Sequence, residues 1–272
     1  MGMPTEGPTT PQPSEASLPA PSRDAAYWAE PVSTLRVGGL PAGAVNLNVT
    51  GRRVVGPLQG FGQMWQKTYR VSLRSAAVTP AEVISTWKAQ FPSFWPEGNR
   101  FYGPLTGIAP GEVAILDLTM AGGMRLSTGV LVLYADDESF TLMTPQGHMF
   151  AGWITFSAYA EEPDSAAEQH ADASPARYTM AQAQVLMRAN DPIYEIGLRF
   201  GGHRQEDRFW KHTLRALAAH FGVEAPVVSQ MECLDPRRQW RQAGNIWQNA
   251  AVRTTLYTLT SPARWMRRRG QA

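Results

Sequence analysis

The chain has 272 residues, 43% of them hydrophobic and 18% charged, enough apolar material for a packed core and too much for a disordered chain. The net charge of +2 excludes a protein built as a whole to neutralise many phosphates, so no specific nucleic-acid partner is expected. A single cysteine, Cys233, excludes an internal disulfide and, with no Cys/His cluster beside it, a structural zinc site.

Residues 1–23 are rich in Pro, Ser, Thr and Ala without periodic apolar positions, and a disordered tail is expected there. No basic start leads into an apolar run, so no secretory signal is expected, nor is any segment apolar for long enough to span a membrane. With the lone cysteine, this makes a reducing, cytoplasmic setting the simplest expectation. Residues 25–62 carry Trp28, Leu35 and Val37 interrupted by glycine and proline, which reads as irregular chain wrapped on a main domain. Asn48-Val49-Thr50 matches a glycosylation acceptor, of little meaning without a secretory route.

The first strand is Met64 to Leu73, where Trp65, Lys67, Tyr69 and Val71 share the more apolar face. A helix start follows: Thr79 to cap, Pro80 in the first turn and Glu82 to complete a capping box. Val83, Ile84, Trp87 and Phe91 then recur at helical spacing until Pro92 and Pro96 end the helix. Strands separated by turn signals come next: Glu112–Met120, Leu126–Tyr134, Phe140–Thr144, His148–Tyr159 and Tyr178–Arg188, with an exposed polar loop over 161–176. Asp191-Pro192 interrupts the last of these. A long helix runs from Gln205 to Phe221 with Phe209, Trp210, Thr213, Leu214, Leu217 and Phe221 as its apolar stripe, Glu206 and Asp207 at its positive end, and Gly222 as a natural stop. Beyond it, Trp240, Ala243, Trp247, Ala250 and Ala251 predict an amphipathic helix, followed by the basic stretch Trp265-Met266-Arg267-Arg268-Arg269.

The order strand, helix, antiparallel strands, long helix argues for an α+β fold. With Thr79-Pro80-Ala81-Glu82, Phe91-Pro92-Ser93-Phe94-Trp95-Pro96, Thr144 to Trp153 and Phe209-Trp210, it resembles the START-like (SRPBCC) superfamily of polyketide cyclases, lipid-transfer domains and plant ligand-binding proteins. That resemblance covers about residues 60–222. It implies a helix-grip fold, a bent antiparallel sheet wrapped around a long C-terminal helix, with a cavity between the two for an apolar ligand. It rests on element order, not on a catalytic signature. The division expected is a tail over 1–23, the helix-grip domain over 24–223, and a C-terminal helix with basic tail over 224–272.

If such a cavity exists, Trp87, Met143, Phe150, Trp153 and Trp210 are candidates to line it, each equally at home in a core. Asp117, Arg188 and Glu195 sit on segments read as half-buried strands. Arg188 would suit a ligand carboxylate if it faced inward, and the solvent face is the alternative for all three. His148 is the candidate acid or base, or simply a turn histidine bonded to backbone. His203, His212 and His220 lack ligand spacing, so no metal and no cofactor is expected. Three functions follow: binding of a small apolar or amphipathic molecule; a cyclase or dehydratase using His148, Asp117 or Glu195; or an interaction protein whose basic tail touches anionic membranes weakly. A cavity of roughly 300 Å³ or more separates the first two from the third. Oligomeric state is not legible.

Overall fold

The computed structural model describes residues 25–39, 42–104, 106–120, 123–162 and 177–260. The expected tail over 1–23, most of the loop over 161–176 and the arginines at 267–269 lie outside the described residues.

Eight strands among these residues form one antiparallel sheet: β1 (Met64–Ser72), β2 (Arg100–Tyr102), β3 (Val113–Thr119), β4 (Arg125–Ala135), β5 (Ser139–Met143), β6 (Phe150–Glu161), β7 (Tyr178–Ala189) and β8 (Val228–Asp235). Their spatial order is β2-β3-β4-β5-β6-β7-β1-β8. The helices are α1 (Pro80–Gln90), α2 (Pro192–Gly197), α3 (His203–His220) and α4 (Ala250–Leu259). This is the helix-grip arrangement: one face of the sheet closes over α1 and the long helix α3, and the main core forms between them. Tyr69, Val71, Trp87, Phe140, Phe156, Leu214 and Leu217 meet in that core.

Local chemistry accounts for the main elements. Thr79 caps α1 by accepting from Glu82 N–H, and Glu82 returns the bond to Thr79 N–H at 2.7 Å. Val83, Ile84 and Trp87 are the face it buries. In β1 the face carrying Lys67, Tyr69 and Val71 is the buried one, as its alternation predicts. The long hairpin of β6 and β7 pairs Phe150 with Ala189 at one end and Glu161 with Tyr178 at the other.

The outer face is covered by the irregular segment over 25–62, whose Leu35 and Val49 pack on Val113, Ile115 and Leu131, and by α4, which lies on β4. Asn48 ties these layers together. Its amide donates to Ser127 O at 2.8 Å and Thr254 Oγ1 at 3.1 Å. With Asn48 only 1% exposed, that acceptor triplet is not open to glycosylation in the folded chain.

The structure corrects the reading of 224–240. Val228–Asp235 is a strand, added to the sheet edge beside β1, with Cys233 opposite Trp65. The expected helix through Trp240 and Ala251 is instead a 3-10 stretch, Trp240–Gln248, followed by α4. Asp191-Pro192 does not merely interrupt a strand. Asp191 caps α2, accepting from Ile193 N–H at 2.8 Å, with Pro192 in its first turn.

Gly147 shows why the turn after β5 needs glycine. Its φ is +86°, its carbonyl accepts from Ala250 N–H at 2.9 Å, and a Cβ there would collide with the Gln248 carbonyl. We predict that Gly147→Ala loses at least about 1–2 kcal/mol in urea unfolding. Gly38→Ala, where an added methyl meets nothing within 4 Å, is the control. Equal midpoints for the two variants would refute this reading of the turn.

Candidate functional site

A partly open cavity of about 260 Å³ lies between the sheet and α3. Its wall is apolar because strand alternation turns every second residue inward: Leu116 and Leu118 of β3, Val185 and Met187 of β7, with Val130 and Ile154 from the strands between. Phe209 and Trp210 supply the α3 side. Elsewhere in the grip the space is filled by rings. Trp87 lies edge-on to Phe156 at 5.0 Å, and Phe140 stacks on Phe156 at 4.7 Å.

Of the residues singled out from sequence, Phe150, Trp210 and His148 line the cavity and Trp153 borders it, its ring edge lying near Gly56. Five do not line it, Glu195 among them. Trp87 is fully buried in the aromatic core. Asp117, between the wall residues Leu116 and Leu118, falls on the other face opposite Arg100. Met143 likewise alternates with the wall residue Leu142 and lies near Gly56. Arg188 is 1% exposed but is neither a cavity anchor nor a solvent-facing residue. It lies opposite the wall face, where its guanidinium donates to Arg237 O at 2.8 Å and Asp235 Oδ2 at 2.6 Å. Asp235 is held well below the usual carboxylate range by hydrogen bonds from Arg237 and then Arg188.

The acid-base candidates also resolve. Glu195 is on α2, not on a strand, and accepts from Arg238 at 3.2 Å and Arg199 at 3.3 Å. His148 accepts at Nδ1 from Phe150 N–H at 3.0 Å, so the hydrogen bonds shown for its ring are to backbone.

The polar feature of the cavity is one the sequence reading passed over. Glu206, in the first turn of α3, is on the wall. Its Oε2 accepts from Lys67 Nζ at 2.8 Å, and the two side chains are 6% and 1% exposed. Lys67 also donates to Asp207 Oδ1 at 3.0 Å, and Tyr69 Oη donates to the same oxygen at 2.6 Å. Burial pushes the Glu206 carboxyl up, with Lys67 opposing. Burial acts on Asp207 too, but the bonds from Tyr69 and Lys67 outweigh it and hold that carboxyl low. His203, edge-on to Trp65 at 5.1 Å, is pushed down to about 4 by burial and by the Lys67 charge. No group of acidic, His and Cys side chains able to hold a metal occurs among the described residues.

No family model matches the chain, and no curated protein matches it. Similar solved structures include a protein of Nitrosomonas europaea at 13% identity and a TM-score of 0.36, covering 57% of this chain and 92% of that one. A conserved protein of Geobacillus kaustophilus shows 12% identity and 0.37, covering 60% and 98%. The major latex-like protein 151 of Panax ginseng shows 12% and 0.33, covering 59% and 99%.

Burial holds His148 at about 4, down from 6.5, only partly offset by the Phe150 backbone. Between those values the unfolded chain binds more protons than the folded one, so stability is full above about 6.5 and falls as pH drops toward 4. The expected loss from His148 between pH 7 and about 4.5 is about 2–3 kcal/mol. Since His203 acts in the same direction, the check is differential. Urea unfolding of His148→Asn should show a shallower loss on acidification than the parent, and parallel curves would rule out this role.

Proposed function

We propose that this protein is a START-like helix-grip protein that binds a small, mostly apolar molecule between the sheet and α3. The observation that carries this is the cavity itself. Protein interiors are close-packed, so apolar space of this size between the sheet and α3 departs from ordinary core packing. A space of about 260 Å³ falls just short of the roughly 300 Å³ set above as the mark of a ligand site, so the binding reading holds for a compact ligand and not for a two-chain lipid. Binding is favoured over cyclase-type catalysis because neither Asp117 nor Glu195 lines the wall and His148 bonds at Nδ1 to the Phe150 backbone rather than to a carboxylate that would pair it for acid-base work. No helix among the described residues is long and apolar enough to cross a membrane. The lone, unpaired Cys233 supports a reducing, cytoplasmic setting.

Titration with the fluorescent apolar probe N-phenyl-1-naphthylamine tests the reading. Saturable one-to-one binding is expected. Leu118→Trp, which extends a wall side chain into the space, should weaken it at least about tenfold while the protein stays folded. A parent protein that fails to bind, or a variant that binds unchanged, would sink the proposal.

A further inference from the structure

The cavity wall is mostly apolar, with Asn99, Thr144, His148 and Gln205 among its polar residues, and its one carboxylate, Glu206, is half satisfied. Glu206 Oε2 is taken by Lys67 at 2.8 Å, whereas Oε1 is buried with no hydrogen-bond partner. Its side chain is only 6% exposed, so bulk solvent does not satisfy it. Nearby donors are directed elsewhere: Tyr69 Oη and a second Lys67 proton both go to Asp207. The Trp210 indole N–H lies close enough to the Glu206 carboxylate to favour its charged form as a hydrogen-bond donor would, but it makes no well-formed hydrogen bond to Oε1. A buried acceptor left unmade costs about 1–3 kcal/mol or more when charged, so such an atom on a ligand-sized cavity marks where a ligand donor completes the set.

We propose that the ligand is a compact apolar molecule with a hydrogen-bond donor at one end, a hydroxyl or an ammonium, and that this donor docks on Glu206 Oε1. The inference rests on the binding role above and specifies its chemistry. At Oε1 itself a ligand whose only polar group is an acceptor is disfavoured. An ether or ketone oxygen would be pressed against the carboxylate oxygen, and a ligand carboxylate would add like charge. The Trp95 indole N–H, also on the wall and without a partner, is where such an acceptor would go instead.

Calorimetric titration of 2-naphthol and 2-methoxynaphthalene, which share one ring system, isolates the donor. The parent protein should prefer 2-naphthol at least about tenfold, the size of one charge-assisted hydrogen bond. In Glu206→Gln the amide oxygen turns to Lys67 and its NH₂ faces the cavity, so the preference should reverse toward 2-methoxynaphthalene. Equal affinities in the parent, as expected if water alone meets Oε1, would overturn the inference while leaving the binding role intact. So would a Glu206→Gln variant that keeps the parental preference. If neither naphthalene nor N-phenyl-1-naphthylamine binds, the binding role fails and this inference with it. Should Glu206→Gln not fold, the parental comparison decides alone.

Discussion

Lys67 brings an ammonium into the interior of the sheet, and the geometry of the grip around it follows from that charge. Burying one ion costs several kcal/mol unless opposite charge meets it at hydrogen-bond distance. Here Glu206 and Asp207, adjacent on α3, close on Lys67 at 2.8 and 3.0 Å. Hydrophobic contact alone would let a helix slide or roll across a sheet. An ion pair fixes both the height and the rotation of α3 over β1. With Glu206 turned to β1, the next turn places Phe209 and Trp210 on the cavity, and Leu214 and Leu217 over the core. Removing one partner of such a pair costs about 3–5 kcal/mol, yet apolar replacement of all members is often neutral. Stability alone therefore does not account for the cluster. Its position on the cavity wall sets it apart from a purely structural ion pair.

A second buried cation does the same work on the opposite side of the sheet. Arg188 of β7 reaches Asp235 at the end of β8, and the carbonyls of Gly62 and Arg237. β8 is an edge strand with most of its residues exposed, so it has little apolar surface to hold it. Its ladder to β1 and this bond are what dock it. Two adjacent strands thus carry one buried cation each, one facing the helix and the cavity, the other facing the outer layer.

Much of this fold was legible from sequence where periodicity and caps agreed. α1 follows from Thr79, Pro80 and Glu82, and the buried face of β1 from its alternation. What escaped was local structure without a periodic signal. β2 spans only Arg100–Tyr102, too short for alternation to register, and β8 buries almost none of its side chains, so nothing in its pattern marks a strand. Asp191-Pro192 carried a helix-start signature that the strand before it obscured. The site was partly readable. Phe150 and Trp210 are on the wall, whereas Trp87 serves the core, because sequence spacing tells which face is apolar and not which apolar residues meet a void. The Lys67–Glu206 pair did leave a trace. Lys67 sits on the apolar face of β1, and Glu206 precedes Phe209 and Trp210 by three and four residues on the stripe of α3. Two opposite charges, each on a face that should be apolar, are a signal that they meet.

The cavity itself originates in the helical side of the grip. The strands present full-sized side chains to it, including Leu116, Leu118 and Met187. On the other side the wall includes Gly197 and Gly202, which contribute no side chain where a continuous apolar stripe would have placed one. Between them the chain leaves helical geometry at Phe200 and Gly201, the latter with φ +114°. This turns Phe200 out to 86% exposure while Leu198 stays inward on the wall. Gly202 sits one turn before Glu206, and the Leu198 side chain and the Gly197 carbonyl close on it, at 3.1 and 3.0 Å from where a Cβ would stand. The backbone break and Gly197, where a Cβ would meet nothing within 4 Å, therefore leave apolar room on the helical side of the cavity. A core selected only for packing would have filled that room with a side chain.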